Sequence, residues 1–405
     1  MTLIECFDRT VLENIAGTLY LRPDKLIIVG DADKVSPFLP RLSHLLSSRK
    51  IDTRIELCDI TDMSIRQIAL ALEAVVTTDD QYVIDLTGGE EPVIMAIGAL
   101  LARLENTQNI SVQKFRFLLP EATNCGGNLQ TANGCQTYLT VEELVSLHGG
   151  GIQPLINQPA ARYTVKNIDK LWSIVAEDPG AWNDRLSVLA EFEKRSESKD
   201  EIMISRSKLE AEIKNFESKE DDFLALMRQF SRKGIIEDRS SWNTIRYRYT
   251  SELYRYCTKK AGNVLEVKTL LEARSMTENG MPFFDDCAMG VSIDWDGKIH
   301  GKDTGIPDTR NEIDVILTRG MRSLFISCKN GYIGEEELYK LHTVAEYFGG
   351  PYAKKMLVAT ELDQKSAASN RAFAQRARDM GIILITDAAE LDSAEWQEVF
   401  RSAMR

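Results

Sequence analysis

The sequence predicts an α/β protein of three successive units: a doubly wound parallel sheet of Rossmann type, a helical, winged-helix-like module, and a mixed sheet flanked by helices. Three patterns carry that reading. Across 1–147, short apolar runs alternate with helix-length segments, as in a parallel sheet with helical crossovers. Across 160–250, charge-rich helical segments lead into two runs joined by a Ser-Ser-Trp-Asn turn. Across 251–405, a helical segment holding Glu266 precedes two short apolar runs joined near Gly320, and further helices and strands follow.

The bulk properties set the frame. A chain of 405 residues holds two or three domains, and 43% hydrophobic with 27% charged residues is ordinary globular composition. No run reaches the ~18 uncharged apolar residues of a membrane span, and no charged-then-apolar leader opens the chain, so a cytoplasmic protein without membrane contact is expected. The seven cysteines are scattered without C-x-x-C spacing, and the four histidines are equally dispersed. That excludes a disulfide framework, a zinc site and a histidine-based triad as expectations. A net charge of −12 speaks against a constitutive nucleic-acid coat. Local basic stretches at 232–248 and at Lys354-Lys355 remain, though such stretches are more often simply solvated surface.

In the first unit the strands are expected at TLIECF, KLIIVGD, TRIELCDI, QYVIDLTGG and VQKFRFLL, with helices through Leu19 and over 38–48, 64–76 and 93–104. Ligands bind such sheets at the carboxyl ends of the strands, where strand order reverses. The candidate loops are therefore Asp8-Arg9-Thr10, Gly30-Asp31-Ala32-Asp33 and Asp85-Leu86-Thr87-Gly88-Gly89-Glu90. In the last, the glycines let backbone N–H groups turn toward an anion at a helix start, or simply make a tight turn. No G-x-G-x-x-G fingerprint and no Walker A motif occurs, so nicotinamide binding or ATP hydrolysis has little support. Asp31 and Asp33 would repel a phosphate; Arg9 would meet one, or is a surface arginine. Gly126-Gly127 and Gly134 read as a loop, and the triplet Gly149-Gly150-Gly151 as a hinge closing a unit of 1–150.

The middle unit, 160–250, is read as helices at 167–175, 185–195, 206–216 and 221–233 followed by a hairpin. Its Trp242, Tyr247 and Tyr249 could stack on bases, but aromatics on a hairpin are more often core.

The third unit, 251–405, carries the chemistry. A helix is expected over 253–273 with Glu266 in an apolar turn, a strand over 289–295, and a hairpin over 313–317 and 324–328. Asp314 lies inside the first hairpin strand and Lys329 ends the second. Charges on strands that otherwise read as buried must be paired or bind a metal. A salt-bridged edge is one reading. The other is a carboxylate and a lysine meeting one hard cation and one water for hydrolysis of a phosphodiester. Helix with Glu266, hairpin with Asp314 and Lys329, then a helix over 334–348, is the order of the restriction-endonuclease-like core. Later strands are expected at 354–360 and 381–386.

Taken together, D-L-T-G-G at 85–89, G-N-V-L-E at 262–266, the N-E-I-D-V…I-S-C-K-N-G hairpin and F-G-G-P-Y-A-K-K at 348–355 resemble the CARF-domain PD-(D/E)xK nucleases associated with type III CRISPR systems. The resemblance implies an N-terminal CARF sensor and a homodimer that binds a cyclic oligoadenylate, read as cyclic tetra-adenylate. It also implies Mg²⁺- or Mn²⁺-dependent cleavage of single-stranded DNA, RNA or supercoiled duplex. Carried over by position, Glu266, Asp314 and Lys329 match the nuclease motif. Asp8, Arg9, Thr10, Thr87, Gly88, Gly89 and Glu90 match the ligand loops. One departure stands out: the family has a carboxylate two residues before the lysine, and this chain has Ser327. A hydroxyl is a weaker metal ligand. Glu312, on the same strand face as Asp314, and the Cys328 carbonyl are the substitutes. The rival implied by Ser327 is a nucleotide-sensing DNA-binding regulator with a degenerate nuclease unit. A Rossmann metabolic enzyme is a third reading.

Overall fold

A computed structural model describes the chain except for residues 77–79, 105–108, 116–128, 133–137, 154–161, 199–200, 298–309, 332 and 362–365. Gly126, Gly127 and Gly134, expected to form a loop, lie outside the described residues.

The first unit is a six-stranded parallel sheet: β1 (Thr2–Cys6), β2 (Lys25–Gly30), β3 (Arg54–Asp59), β4 (Tyr82–Asp85), β5 (Ile110–Phe115) and β6 (Leu129–Ala132), in the order β3-β2-β1-β4-β5-β6. Its helices are α1 (Glu13–Leu21), α2 (Ala32–Val35), α3 (Leu39–Ser48), α4 (Ile65–Val75) and α5 (Glu91–Arg103). Side chains alternate across a strand, so Ile4 and Cys6 pack toward α4 and α5 while Leu3 faces α1 and α3. Strand order reverses between β1 and β4, and the loops 7–10 and 86–90 leave the sheet there.

Next come α6 (Val141–Leu147) and β7 (Gly151–Ile152). Gly150 abuts Phe348, where an added Cβ would lie 2.4 Å from the ring. Gly150 of the glycine triplet thus sits in a close-packed junction with the helix that carries Phe348.

The middle unit holds α7 (Val165–Glu177), α8 (Pro179–Glu193), β8 (Ile202–Ser205), α9 (Arg206–Glu212), α10 (Phe216–Arg232), β9 (Ile236–Asp238) and β10 (Thr244–Tyr249). The strands form an antiparallel sheet in the order β8-β10-β9. Tyr247 is buried and both Tyr247 and Tyr249 donate to Glu193 Oε1 at 2.8 Å, so these two aromatics are core. Trp242 is 83% exposed, 5.5 Å under the Arg206 guanidinium.

The third unit holds α11 (Glu252–Cys257), α12 (Asn263–Ser275), β11 (Thr277–Glu278), β12 (Met281–Pro282), β13 (Asp286–Asp294), β14 (Arg310–Arg319), β15 (Arg322–Lys329), α13 (Glu336–Gly349), β16 (Lys354–Ala359), α14 (Ala367–Asp379), β17 (Ile382–Ile385) and α15 (Ser393–Ala403). Six strands order as β17-β16-β15-β14-β13-β7, antiparallel from β7 to β15 and parallel from β15 to β17. The β14–β15 hairpin turns at Gly320, whose φ of +60° suits glycine. The single helix expected over 253–273 is two. The chain turns after Cys257, and Asn263 at the start of α12 donates its amide to the Tyr256 carbonyl at 2.9 Å.

Helix α12 is buried on nearly every face, sharing one core with α7, α8, α10, α15 and the sheet. Lys268 within it is 5% exposed and pairs with Glu272 at 2.8 Å and with Asp169 of α7 at 2.9 Å. The fold therefore fixes both position and rotation of the helix that presents Glu266.

Candidate active site

Glu266 stands in the first turn of α12, Glu312 and Asp314 on β14, and Lys329 at the end of β15. Asp314 Oδ2 accepts the Cys328 backbone N–H at 2.6 Å and the Ser327 hydroxyl at 3.2 Å. Lys329 Nζ lies 3.8 Å from the same oxygen. These contacts fix the Asp314 rotamer toward the strand end, where the lysine emerges.

Glu266 lies within electrostatic reach of this pair. Burial first, then the charges of Asp314 and Glu312, push its carboxyl up to about 7, while Lys329 pulls the other way. Asp314 is likewise raised by burial, against Lys329 and its two hydrogen bonds. Acids that crowd one another in a half-dry site disfavour ionisation unless a cation joins them. Their donors are all oxygen, the chemistry a hard divalent cation takes, so Glu266, Asp314 and Glu312 fit such an ion in kind. Among the described residues, however, no three His, Cys, Asp or Glu side chains stand close enough together to cage one. The Cys328 thiol is buried beside Thr269, 3.6 Å from its hydroxyl.

Two further residues belong here that the sequence did not single out. Glu337, at the start of α13, places Oε2 3.1 Å from Lys329 Nζ. Tyr256 is raised to about 12 by burial and then by the charges of Glu266, Glu312 and Asp314. Glu337 sits in a run of glutamates that reads as ordinary acidic content of a helix start. Tyr256 has no motif around it.

The candidate ligand loops meet at the other sheet. Asp8 Oδ1 accepts from Thr10 N at 2.8 Å and Oδ2 from Gly89 N at 3.2 Å, so a side chain of the protein already holds the N–H expected to turn toward an anion. Thr87 is buried: its hydroxyl and N–H both bond Asp85 Oδ1, and it accepts from Phe115 N at 2.8 Å. Gly88 packs against Asp8 and Glu13, where a Cβ would lie 2.7 Å and 3.1 Å from theirs. Glu90 pairs with Lys34 at 2.7 Å, and Arg9 is exposed. In the neighbouring loop the Asp31 side chain caps α2, accepting the Asp33 N–H at 3.0 Å.

No protein-family model matches the chain, and no curated protein matches it. Solved structures do. The whole chain aligns with 99% of protein VC1899 from Vibrio cholerae, with a TM-score of 0.72 and 17% identity. It also aligns over its whole length with 97% of Can2 from Sulfobacillus thermosulfidooxidans, solved with cyclic tetra-adenylate, with a TM-score of 0.62 and 13% identity. The likeness is one of overall fold: a Rossmann-like parallel sheet, a helical unit with a three-stranded sheet, and a mixed six-stranded sheet in one chain. At these identities the shared property is the fold, and it is the fold that the motif resemblance implied. No helix among the described residues is long and apolar enough to cross a membrane.

Proposed function

We propose that the protein is a cyclic-oligoadenylate-activated, metal-dependent endonuclease of the CARF-domain group, working as a homodimer. The observation that carries this reading is the pairing of Asp314 with Lys329, 3.8 Å apart at one strand end, with Glu266 within electrostatic reach of both. Glu266 and Asp314, with Glu312 beside them, would hold Mg²⁺ or Mn²⁺; bound there, the ion supplies a polarised phosphate and an activated water. Asp314 presents one carboxylate oxygen in a fixed direction. Lys329 holds a positive charge where negative charge grows on the phosphate. The resting protein must be gated, because an unspecific nuclease is harmful, and the activator must favour the competent state. Likeness of fold to Can2, which binds cyclic tetra-adenylate, supports that activator. Of the candidate loop residues, Arg9 is exposed and Thr10 and Glu90 are half-buried, which leaves them open to such a ligand.

One observation favours a second reading. Ser327 occupies the motif acid's position and donates to Asp314, so the site lacks the carboxylate that the family pattern supplies there. A nucleotide-responsive DNA-binding regulator with a silent nuclease unit follows from that. Incubation with Mn²⁺ and labelled single-stranded DNA, RNA and supercoiled plasmid, with and without cyclic tetra-adenylate, separates the two. Activator-dependent cuts support the nuclease; binding without cuts supports the regulator.

A further inference from the structure

We propose that Glu337 is a positioning residue for Lys329 and that helix α13 ties this pair to the sensor's loops through Tyr352 and Glu13. The proposal rests on the nuclease reading for the role of Lys329, and on geometry for the linkage. At the N-terminal end of α13, Glu337 Oε2 is 3.1 Å from Lys329 Nζ, whereas Asp314 Oδ2 is 3.8 Å away. Lys329 and Glu337 are 27% and 25% exposed, partly sheltered from water. An ammonium shared by two carboxylates goes where the nearer one holds it, so a shift of Glu337 relocates the charge that faces the scissile phosphate.

The other end of α13 reaches the sensor. The helix runs through Gly349 into the turn Gly350–Tyr352, and the Tyr352 hydroxyl donates to Glu13 Oε1. Glu13 opens α1, directly behind the loop 7–10. Gly88 leaves room for no Cβ between Asp8 and Glu13, and Asp8 is bonded to the Gly89 N–H. Both candidate ligand loops thus press on the residue that Tyr352 holds. A ligand that moves either loop must carry Glu13 with it or break that hydrogen bond.

Between these contacts lies a helix of 14 residues, about 20 Å at 1.5 Å per residue. Its buried face, including Leu341, Val344 and Phe348, shares one core with Phe325 of β15. A packed helix moves as a body, by small sliding or rotation. Displacement at Tyr352 is therefore delivered at Glu337, one strand end away from Asp314.

Hydrogen exchange on the full-length protein, without ligand or metal, tests the linkage. Tyr352→Phe keeps the ring and removes only the hydroxyl. Exchange of the amides at 336–341 is expected to change by about threefold or more. A change confined to 348–356 overturns the linkage. For the positioning role, Glu337→Gln is expected to lower kcat about tenfold with KM within about twofold, and Glu337→Asp to recover part of it. Unchanged kcat in Glu337→Gln overturns it. A parent protein that cleaves nothing under any condition defeats the nuclease reading and with it the assigned positioning role. The exchange result still decides the linkage.

Discussion

Lys329 lies closer to Glu337 than to Asp314, at 3.1 Å against 3.8 Å. The lysine that closes the expected motif is thus held from two sides, by its neighbouring strand and by the helix that follows. The Asp314 side chain has its own anchors in the Cys328 N–H and the Ser327 hydroxyl. The site is organised without the motif carboxylate, and the consequences can be measured.

Ser327→Asp restores the carboxylate two residues before the lysine but sets it against Asp314 at a position only 6% exposed. Like charges at a buried site are costly. In chelator the variant should lose about 1–3 kcal/mol of stability, seen as a lower melting temperature. Saturating Mn²⁺ should return most of that loss, since an ion that binds only the folded state stabilises it. A variant equally unstable with and without Mn²⁺ argues against cation binding here.

Lys268→Ala leaves Glu272, which is 0% exposed, without its ammonium. Removing one partner of a buried pair costs about 3–5 kcal/mol. Because Asp169 at the far side is 49% exposed, the loss should fall toward the lower figure, read from urea unfolding. A change below about 1 kcal/mol would mean that α12 is fixed by packing alone.

Glu5 and Asp85 stand side by side in register on β1 and β4, both buried completely. Burial, then the Asp85 charge, pushes Glu5 well above its ordinary range, and burial raises Asp85 to about 6. Both folded values exceed the unfolded ones, so the folded state binds the extra proton. The contribution is fully present below about pH 4 and is lost as pH rises through about 6 and beyond. Glu5→Gln keeps the shape and removes this titration. Its unfolding free energy relative to the parent should therefore rise between pH 4.5 and 8, in paired denaturant titrations at each pH. A constant difference would show that the two acids share no proton.

Gly88→Ala would drive a methyl into Asp8 and Glu13. Binding of cyclic tetra-adenylate, followed by calorimetry, should weaken by about tenfold or more if these loops form the ligand site. Unaltered binding would place the ligand elsewhere.

The pattern of the chain made much of this legible. The first five strands of the first sheet and the β14–β15 hairpin are apolar runs bounded by turn residues and formed close to their expected places, whereas β6, in a polar stretch that reads as a loop, was not expected. Glu266, Asp314 and Lys329 could be named because charges interrupt those runs. What stayed hidden has physical causes. The break between α11 and α12 lies in a stretch whose apolar residues continue on both sides. β8 is four residues and β7 two, too short for periodicity to show. Glu337 and Tyr352 matter through contacts made across the fold, with Lys329 and with Glu13. Thr87 lies in a candidate ligand loop, yet its hydroxyl is spent inside the sheet on Asp85 and Phe115.

The central claim is that Asp314 and Lys329 cut nucleic acid under the control of the sensor. Cleavage of supercoiled plasmid and single-stranded substrates in Mn²⁺, with and without cyclic tetra-adenylate, tests it on the parent, Asp314→Ala and Lys329→Ala. The account predicts activator-dependent cuts by the parent and none by either variant, while all three bind cyclic tetra-adenylate alike. Equal cutting by the parent and the variants would contradict it.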